Sequence, residues 1–194
     1  MNSTLSRRAV LATASLAIPA WATATESANA KRWMEPGPHI PQVSLQDQDG
    51  RSHHLSHLLA GRPVAISFFF TGCTTFCPPQ TAAFRDLQTI LPQRAPRALL
   101  LSISLDPLAD TPQALRAYAG RFGARLGLDE RWMMLTGTPA ALSPVWAAFD
   151  SVTGRPEDHL ATLWVGASDR KRWARSTGLV AANLLANLLE ASVV

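Results

Sequence analysis

Two cysteines, Cys73 and Cys77, are the only thiols in this chain of 194 residues. At a spacing of four residues they lie roughly 6 Å apart along a helical or tight-loop axis, within the Cα separation that a disulfide allows. Two thiolates can also converge on one soft metal ion, which favours Cu(I), or Zn(II) where further ligands exist. A structural disulfide is disfavoured because closing so short a loop removes little chain entropy.

The segments on either side of this pair indicate how it is positioned. Residues 64–70 form a short apolar run, rich in β-branched and aromatic side chains, that predicts a buried strand leading into Cys73. Pro78 and Pro79 suit the first turn of a helix, and apolar residues at helical spacing predict an amphipathic helix from about 79 to 91. We expect the amino end of that helix to lie beside Cys77 and to favour thiolate over thiol.

The amino terminus has the pattern of an export signal. Arg7 and Arg8 precede an apolar run over residues 9–22, and residues 28–30 offer a small-residue cleavage site. We therefore predict a signal peptide over residues 1–30, of either the twin-arginine or the Sec type. The run is shorter than the ~20 residues that span a bilayer, so we expect a periplasmic protein that is soluble after cleavage. An uncleaved signal that tethers the protein is the alternative.

Composition bounds the rest of the chain. Hydrophobic residues make up 47% of it, enough for a full core, and the formal net charge is +4. The basic residues are scattered apart from a denser run over 170–175, and they do not alternate with aromatics, so we expect no nucleic-acid partner. We predict an extended lead-in over residues 31–41 and one domain over residues 42–190.

Three histidines, His53, His54 and His57, lie within five residues of one another. They follow an alternating segment over residues 43–50 that closes on an Asp-Gly turn, which predicts a peripheral hairpin. Histidine-rich tracts can bind metal, and His53 and His57 are four residues apart. Because the segment lies before the core strand and shows no carboxylate support, we interpret these histidines as surface residues and keep a metal site as the alternative.

Strand and helix signals alternate along the remaining chain. The predicted elements are a strand at 98–105, a helix capped by Thr111 and starting at Pro112, a short strand at 132–135, a helix capped by Thr138 that Pro144 kinks or delays, a strand at 161–166, an antiparallel edge strand at 171–174 and a helix at 180–189. This order predicts a thioredoxin-like α/β fold with a central mixed sheet flanked by helices.

Four motifs, in this order, resemble the Sco/SenC family. They are Phe-Thr-Gly-Cys-Thr-Thr-Phe-Cys-Pro at 70–78, Ser-Leu-Asp-Pro-Leu-Ala-Asp-Thr-Pro at 104–112, Trp-Met-Met-Leu-Thr-Gly at 132–137 and Asp-His at 158–159 before a strand. The resemblance spans roughly residues 42–188. It implies a copper-binding metallochaperone, rather than an enzyme, that serves assembly of the dinuclear copper centre of cytochrome c oxidase, with oxidase subunit II as the acceptor.

The same resemblance implies a set of site residues. Cys73, Cys77 and His159 would be the ligands of Cu(I) or Cu(II), and Asp106 and Asp110 resemble the family's paired acids. We expect Asp106 to support the ligands and Asp110 to belong to the cap of the next helix. Many family members have proline directly after the first cysteine, where this chain has Thr74, and this departure leaves the choice of target protein open.

Two other function classes fit these residues. The first is a thiol–disulfide oxidoreductase, recharged by a thioredoxin-like reductant, in which Cys73 would be the attacking thiolate. The second is a redox or copper sensor that keeps its metal. Replacing His159 separates the first class from copper delivery, because dithiol exchange does not need an imidazole ligand. In all three cases we expect membrane contact only through a partner or an uncleaved signal.

Overall fold

The computed structural model describes residues 33–151 and 154–194. The predicted signal peptide lies outside these described residues. Within them, no helix combines the length and the apolar character needed to cross a membrane.

Over residues 33–151 and 154–194, eight strands form a single mixed sheet in the order β1-β8-β7-β4-β5-β6-β2-β3. Strands β4, β5 and β6 are parallel, and the remaining neighbours pair antiparallel. The strands are β1 (Trp33–Met34), β2 (Ser44–Asp47), β3 (Ser52–His54), β4 (Pro63–Phe69), β5 (Leu99–Ser104), β6 (Trp132–Thr136), β7 (Thr162–Ala167) and β8 (Arg172–Thr177).

In the part of the chain that the structure describes, five α-helices accompany the sheet. They are α1 (Leu55–Leu59), α2 (Cys77–Arg94), α3 (Pro112–Arg121), α4 (Pro139–Ala148) and α5 (Ala182–Ala191). As predicted, the side chains of Thr111 and Thr138 cap α3 and α4, each accepting a hydrogen bond from the backbone N–H three residues later. A late start at Pro144 is not observed, because α4 begins at Pro139 and continues through Pro144.

The central strands are buried on both faces, as is usual for parallel strands covered by helices. In β4, Ala65 and Phe69 belong to one hydrophobic cluster, while Ile66 and Phe68 belong to the other. The first cluster includes apolar residues of α2, α3 and α5, and the second those of α1 and α4. The structure thus has the predicted layout of a mixed sheet between helices.

One prediction about the sheet is wrong. The segment around 171–174 belongs to β8, which is not an edge strand, because it pairs with β7 on one side and with β1 on the other. Strand β1 lies in the segment that we predicted to be an extended lead-in. Trp33 pairs with Ala174, and the Arg172 guanidinium lies 4.4 Å from the centroid of the Trp33 ring. A two-residue strand carries no periodic pattern, so sequence reasoning could not detect it.

Candidate metal centre

The cysteine pair lies where β4 ends and α2 begins. The chain leaves β4 at Phe69 and enters α2 at Cys77. Between them, the backbone N–H of Cys73 donates to the Phe70 carbonyl at 3.1 Å, which closes a tight turn. Both thiols are free and buried. The strand and the helix therefore fix the two thiols within residues 70–77, here called the cysteine loop, which ends on the first residue of α2.

The two thiols differ in their electrostatics. Burial raises the pKa of Cys73, but hydrogen bonds from the Cys77 thiol and from the backbone of Cys77, Thr75 and Phe76 outweigh it, so the pKa of Cys73 lies below its ordinary value. The Cys77 backbone N–H donates to Cys73 Sγ at 3.4 Å. Burial, reinforced by the neighbouring Cys73, raises the pKa of Cys77 far above its ordinary value.

The helix end therefore acts on a different cysteine from the one we predicted. The free N–H groups of a first helical turn point out of the helix, towards a residue that precedes it. Cys73 is in that position, whereas Cys77 is the first residue of α2 and is deeply buried. The structure thus makes Cys73 the more readily ionised of the two thiols.

His159 follows a one-turn 3₁₀-helix, Pro156–Asp158, and precedes β7. Its Nδ1–H donates to the Pro156 carbonyl at 2.7 Å. Because a carbonyl can only accept, this bond places a proton on Nδ1 and leaves Nε2 as the nitrogen that can bind a metal. The ring is buried and packs edge-on against Phe70, with 5.8 Å between ring centroids.

Two adjoining cavities bring His159 to the cysteine loop. His159 and Cys73 line one cavity of about 280 Å³, and His159 and Cys77 line a much smaller one, with Phe76 shared by both. Among the described residues, however, no group of three or more His, Cys, Asp or Glu side chains lies close enough to hold a metal ion. The donor types suit a soft metal, but one shared ion requires the imidazole and the two thiols to come closer together.

Sequence reasoning underestimated Asp110. This side chain is fully buried, and its Oδ1 accepts hydrogen bonds from the Thr71 backbone N–H at 2.9 Å and from the Thr71 hydroxyl at 2.6 Å. Its Oδ2 accepts from the Ser104 hydroxyl at 2.7 Å. Burial raises the pKa of Asp110 despite these hydrogen bonds. Asp110 therefore fixes the backbone two residues before Cys73.

The predicted role of Asp110 is thus corrected. Thr111, not Asp110, caps α3, and Asp110 is the acid that holds the cysteine loop. Asp106 shapes the turn after β5, where its backbone carbonyl accepts from the Asp110 N–H at 2.8 Å, and its support of the ligands stays a prediction. The pair of acids was visible in the sequence, but this turn decides which of them faces inward.

The three histidines belong to a separate region. His53 lies on β3, which is four strands from β4 in the sheet, and donates through Nε2 to Asp47 Oδ2 at 2.7 Å. His54 hydrogen-bonds with the Ser44 hydroxyl at 3.1 Å, and its ring centroid lies 5.1 Å from that of His57. The structure does not bring these side chains to the cysteines. The expectation that no carboxylate supports them is wrong for His53, since Asp47 does.

Comparison with known proteins identifies bacterial relatives of this chain, two of which follow. The SCO1 protein homolog of Bacillus subtilis is 32% identical over 120 residues, which cover 61% of this chain and 60% of the relative. A protein of Stutzerimonas stutzeri, described as a candidate copper-binding protein, is 36% identical over 86 residues, which cover 44% of this chain and 42% of the relative. The matched region is thus 60% or less of the length of these curated relatives.

Structural comparison agrees with the sequence matches. The solved structure of BsSco, a member of the Sco family of cytochrome c oxidase assembly proteins in which a disulfide switch was identified, superposes with a TM-score of 0.66 at 26% identity and covers 81% of this chain and 95% of its own. This likeness confirms the predicted thioredoxin-like fold. The SCO1/SenC family model matches residues 35–163. Because that match covers more than half of the chain, the protein belongs to the SCO1/SenC family.

Proposed function

We propose that this protein is an exported metallochaperone that binds one copper ion through Cys73, Cys77 and His159 and delivers it during assembly of cytochrome c oxidase. The arrangement of the cysteine loop is the main support for this proposal. It holds a thiol of lowered pKa at the start of α2, next to a second thiol, and His159 lines the same cavities.

The donor chemistry supports copper as the cargo. Thiolate sulfur is a soft ligand that selects Cu(I), and an added imidazole extends the donor set towards Cu(II). A site of two or three ligands can also release the ion to a partner by ligand exchange. The Stutzerimonas stutzeri relative described as a candidate copper-binding protein and the oxidase-assembly family of BsSco support the same conclusion.

Each residue of the proposed site contributes a separate property. Cys73 ionises more readily than Cys77, and Cys77 must lose its proton when the metal binds, so uptake of copper should release protons. The bond from Nδ1 to Pro156 keeps Nε2 of His159 available. Asp110 holds the backbone at Thr71 and thereby limits how far the cysteine loop can move.

A second candidate function is thiol–disulfide exchange, and the unlike pKa shifts of the two thiols favour it. The Cys73 thiolate would attack a partner disulfide, forming a mixed disulfide and releasing one partner thiolate. Cys77 would then lose its proton and attack Cys73 Sγ, leaving a Cys73–Cys77 disulfide here and a dithiol on the partner. This role needs both cysteines but not His159.

Anaerobic copper titration of the reduced protein tests the proposed site. We expect one Cu(I) per chain, and we expect Cys73→Ser or Cys77→Ser to abolish binding, because one thiolate leaves a sparse site. His159→Ala should weaken Cu(I) binding mildly and Cu(II) binding severely, and His54→Ala is the matched histidine control. The oxidised protein should bind no copper until a reductant is added. Stoichiometric copper in both cysteine variants would refute the assignment.

Complementation of a deletion strain separates the candidate functions. We expect loss of oxidase activity that added copper partly relieves, with rescue by the wild-type gene but not by Cys73→Ser. Full rescue by His159→Ala would favour thiol exchange over copper delivery. A deletion strain without an oxidase defect would favour a copper or redox sensor.

We also propose that the protein is exported to the periplasm and cleaved near residue 31. Mass spectrometry of the exported protein should find an amino terminus near Lys31. Recovery of the full-length chain in the membrane fraction would instead indicate an uncleaved tether.

A further inference from the structure

Three arginines converge at the end of the sheet opposite the cysteine loop. Arg62 directly precedes β4, Arg97 lies between α2 and β5, and Arg131 directly precedes β6. All three line one cavity of about 440 Å³. Because these strands are parallel, their amino ends meet at the same edge of the sheet, and the seven residues of β4 place this edge roughly 20 Å from the cysteines.

No carboxylate lines this cavity, although Asp169 and Glu190 line an adjoining one that also includes Arg62 and Arg97. The other residues that line the three-arginine cavity are all uncharged: Ala60, Gly61, Pro96, Ala98, Leu99 and Leu128. Among the described residues, none of the three arginines forms an ion pair with a carboxylate. The Arg97 guanidinium donates to the Gly61 carbonyl, which bridges the chain before β4 and the chain before β5.

Arg131 lines this cavity and also carries a donor that the fold leaves unpaired. Its Nη1 is buried and has no hydrogen-bond partner among the described residues. A buried donor without an acceptor costs free energy, and the cost is larger for a charged group. Two hydrogen bonds hold the backbone of Arg131, since its carbonyl accepts from the Leu100 N–H at 2.9 Å and its N–H donates to the Leu128 carbonyl at 3.0 Å.

We infer that this cavity binds the phosphate group of a phosphate ester. Guanidinium groups are always charged and present a fork of N–H donors that matches phosphate oxygens. A single carboxylate has two oxygens for three arginines, whereas a phosphate monoester offers three terminal oxygens and up to two negative charges. A phosphodiester carries one negative charge and offers two terminal oxygens together with two ester oxygens. Leu128, Pro96 and Ala60 provide an apolar wall for the organic part of the ester.

Two sources share this chemistry, a small soluble phosphate ester and the phosphoglycerol headgroup of an anionic lipid. With the lipid, the cysteine loop at the opposite end of β4 would face away from the membrane surface. The inference does not depend on the proposed copper function, because none of the cavity residues lies in the cysteine loop or contacts His159.

Binding assays with defined probes test the site. Calorimetry would use glycerol 3-phosphate and inorganic phosphate, and flotation would use phosphatidylglycerol vesicles against pure phosphatidylcholine vesicles. We expect Arg62→Gln/Arg97→Gln to weaken binding about tenfold or more, since it removes two charged hydrogen-bond donors. The control, Arg51→Gln/Arg85→Gln, removes the same charge from exposed positions elsewhere and should change binding less than twofold.

Arg131→Gln should weaken binding to a similar degree. If either cavity variant fails to fold, the exposed Arg97→Gln alone carries the test. Calorimetric binding that is lost in the cavity variants but not in the control supports a small ester, and vesicle binding with the same dependence supports the lipid headgroup. Absence of binding to every probe, or an equal loss in the control, overturns the inference. Copper stoichiometry should be unchanged in all of these variants.

Discussion

The cysteine loop and the histidine hairpin (β2, β3, the turn between them and the adjoining helix α1, which carries His57) each contain a buried aspartate, but the two carboxyls differ. Asp110 accepts only from neutral donors on Thr71 and Ser104, and burial raises its pKa. Burial also raises the pKa of Asp47, but hydrogen bonds from His53 and from two backbone N–H groups outweigh it, so the pKa of Asp47 is lowered.

This difference shows why a histidine-rich sequence alone does not indicate a metal site. In the hairpin, ligand-type side chains are engaged in structure, since His53 bonds to Asp47 and His54 to Ser44. In the cysteine loop, the Cys77 backbone N–H donates to the Cys73 thiol. The Asp110 carboxyl holds the backbone of the loop by accepting from the Thr71 N–H. A site is thus indicated by how the residues are held rather than by how many potential ligands occur together.

The largest expected effect is that of Asp110→Ala. It leaves the Thr71 N–H, the Thr71 hydroxyl and the Ser104 hydroxyl without their acceptor, and should lower the free energy of unfolding by about 2–4 kcal/mol. Copper affinity should fall with it. Asp110→Asn is the matched control, because its carbonyl oxygen can still accept from Thr71. Its free energy of unfolding should fall much less than that of Asp110→Ala. Urea unfolding measures both, and an Asp110→Ala protein as stable as the wild type would contradict the role of Asp110.

The second prediction is that the two aspartates give pH dependences of opposite sign. The folded pKa of Asp47 is lowered, so its stabilisation is fully present above the unfolded pKa of about 3.9 and is lost as the pH falls through the folded value. The folded pKa of Asp110 is raised, so the unfolded chain ionises first and the native state loses stability as the pH rises through the folded value.

Urea unfolding of the wild type, Asp47→Asn and Asp110→Asn at a series of acidic pH values tests whether the two pH dependences have opposite signs. The stability of the wild type relative to Asp47→Asn should rise with pH, and that relative to Asp110→Asn should fall with pH. Each variant serves as the control for the other. Slopes of the same sign would show that the contrast between the two carboxyls is wrong.

Much of the fold followed from sequence because its elements carry strong local signals. The apolar runs at β4 and β5 are buried throughout, and the Thr-Pro pairs at 111–112 and 138–139 start helices α3 and α4. The helix after the cysteines was placed correctly but is longer than predicted, since α2 runs from Cys77 to Arg94.

What sequence could not show depends on contacts between distant segments. The pairing of β1 with β8 joins residues far apart in the chain. The inward position of Asp110 depends on the turn after β5, and the contrast between the Cys73 and Cys77 thiols depends on which sulfur faces the first turn of α2. The ligand set of Cys73, Cys77 and His159 came from family resemblance and stays a prediction.

The smallest expected effect is that of His54→Ala/His57→Ala. Both side chains are exposed, so the free energy of unfolding should change by about 0.5 kcal/mol or less. We also expect one copper per reduced chain, as in the wild type. Loss of copper in this variant would show that the hairpin, rather than the cysteine loop, holds the metal.

Copper X-ray absorption of the reduced, copper-loaded protein counts the sulfur ligands of the metal. We expect two sulfur ligands and one nitrogen ligand, with the nitrogen lost in His159→Ala and the shell unchanged in His54→Ala/His57→Ala. A shell of nitrogen and oxygen without sulfur, or one that changes in the hairpin variant and not in His159→Ala, would contradict a copper site built from Cys73, Cys77 and His159.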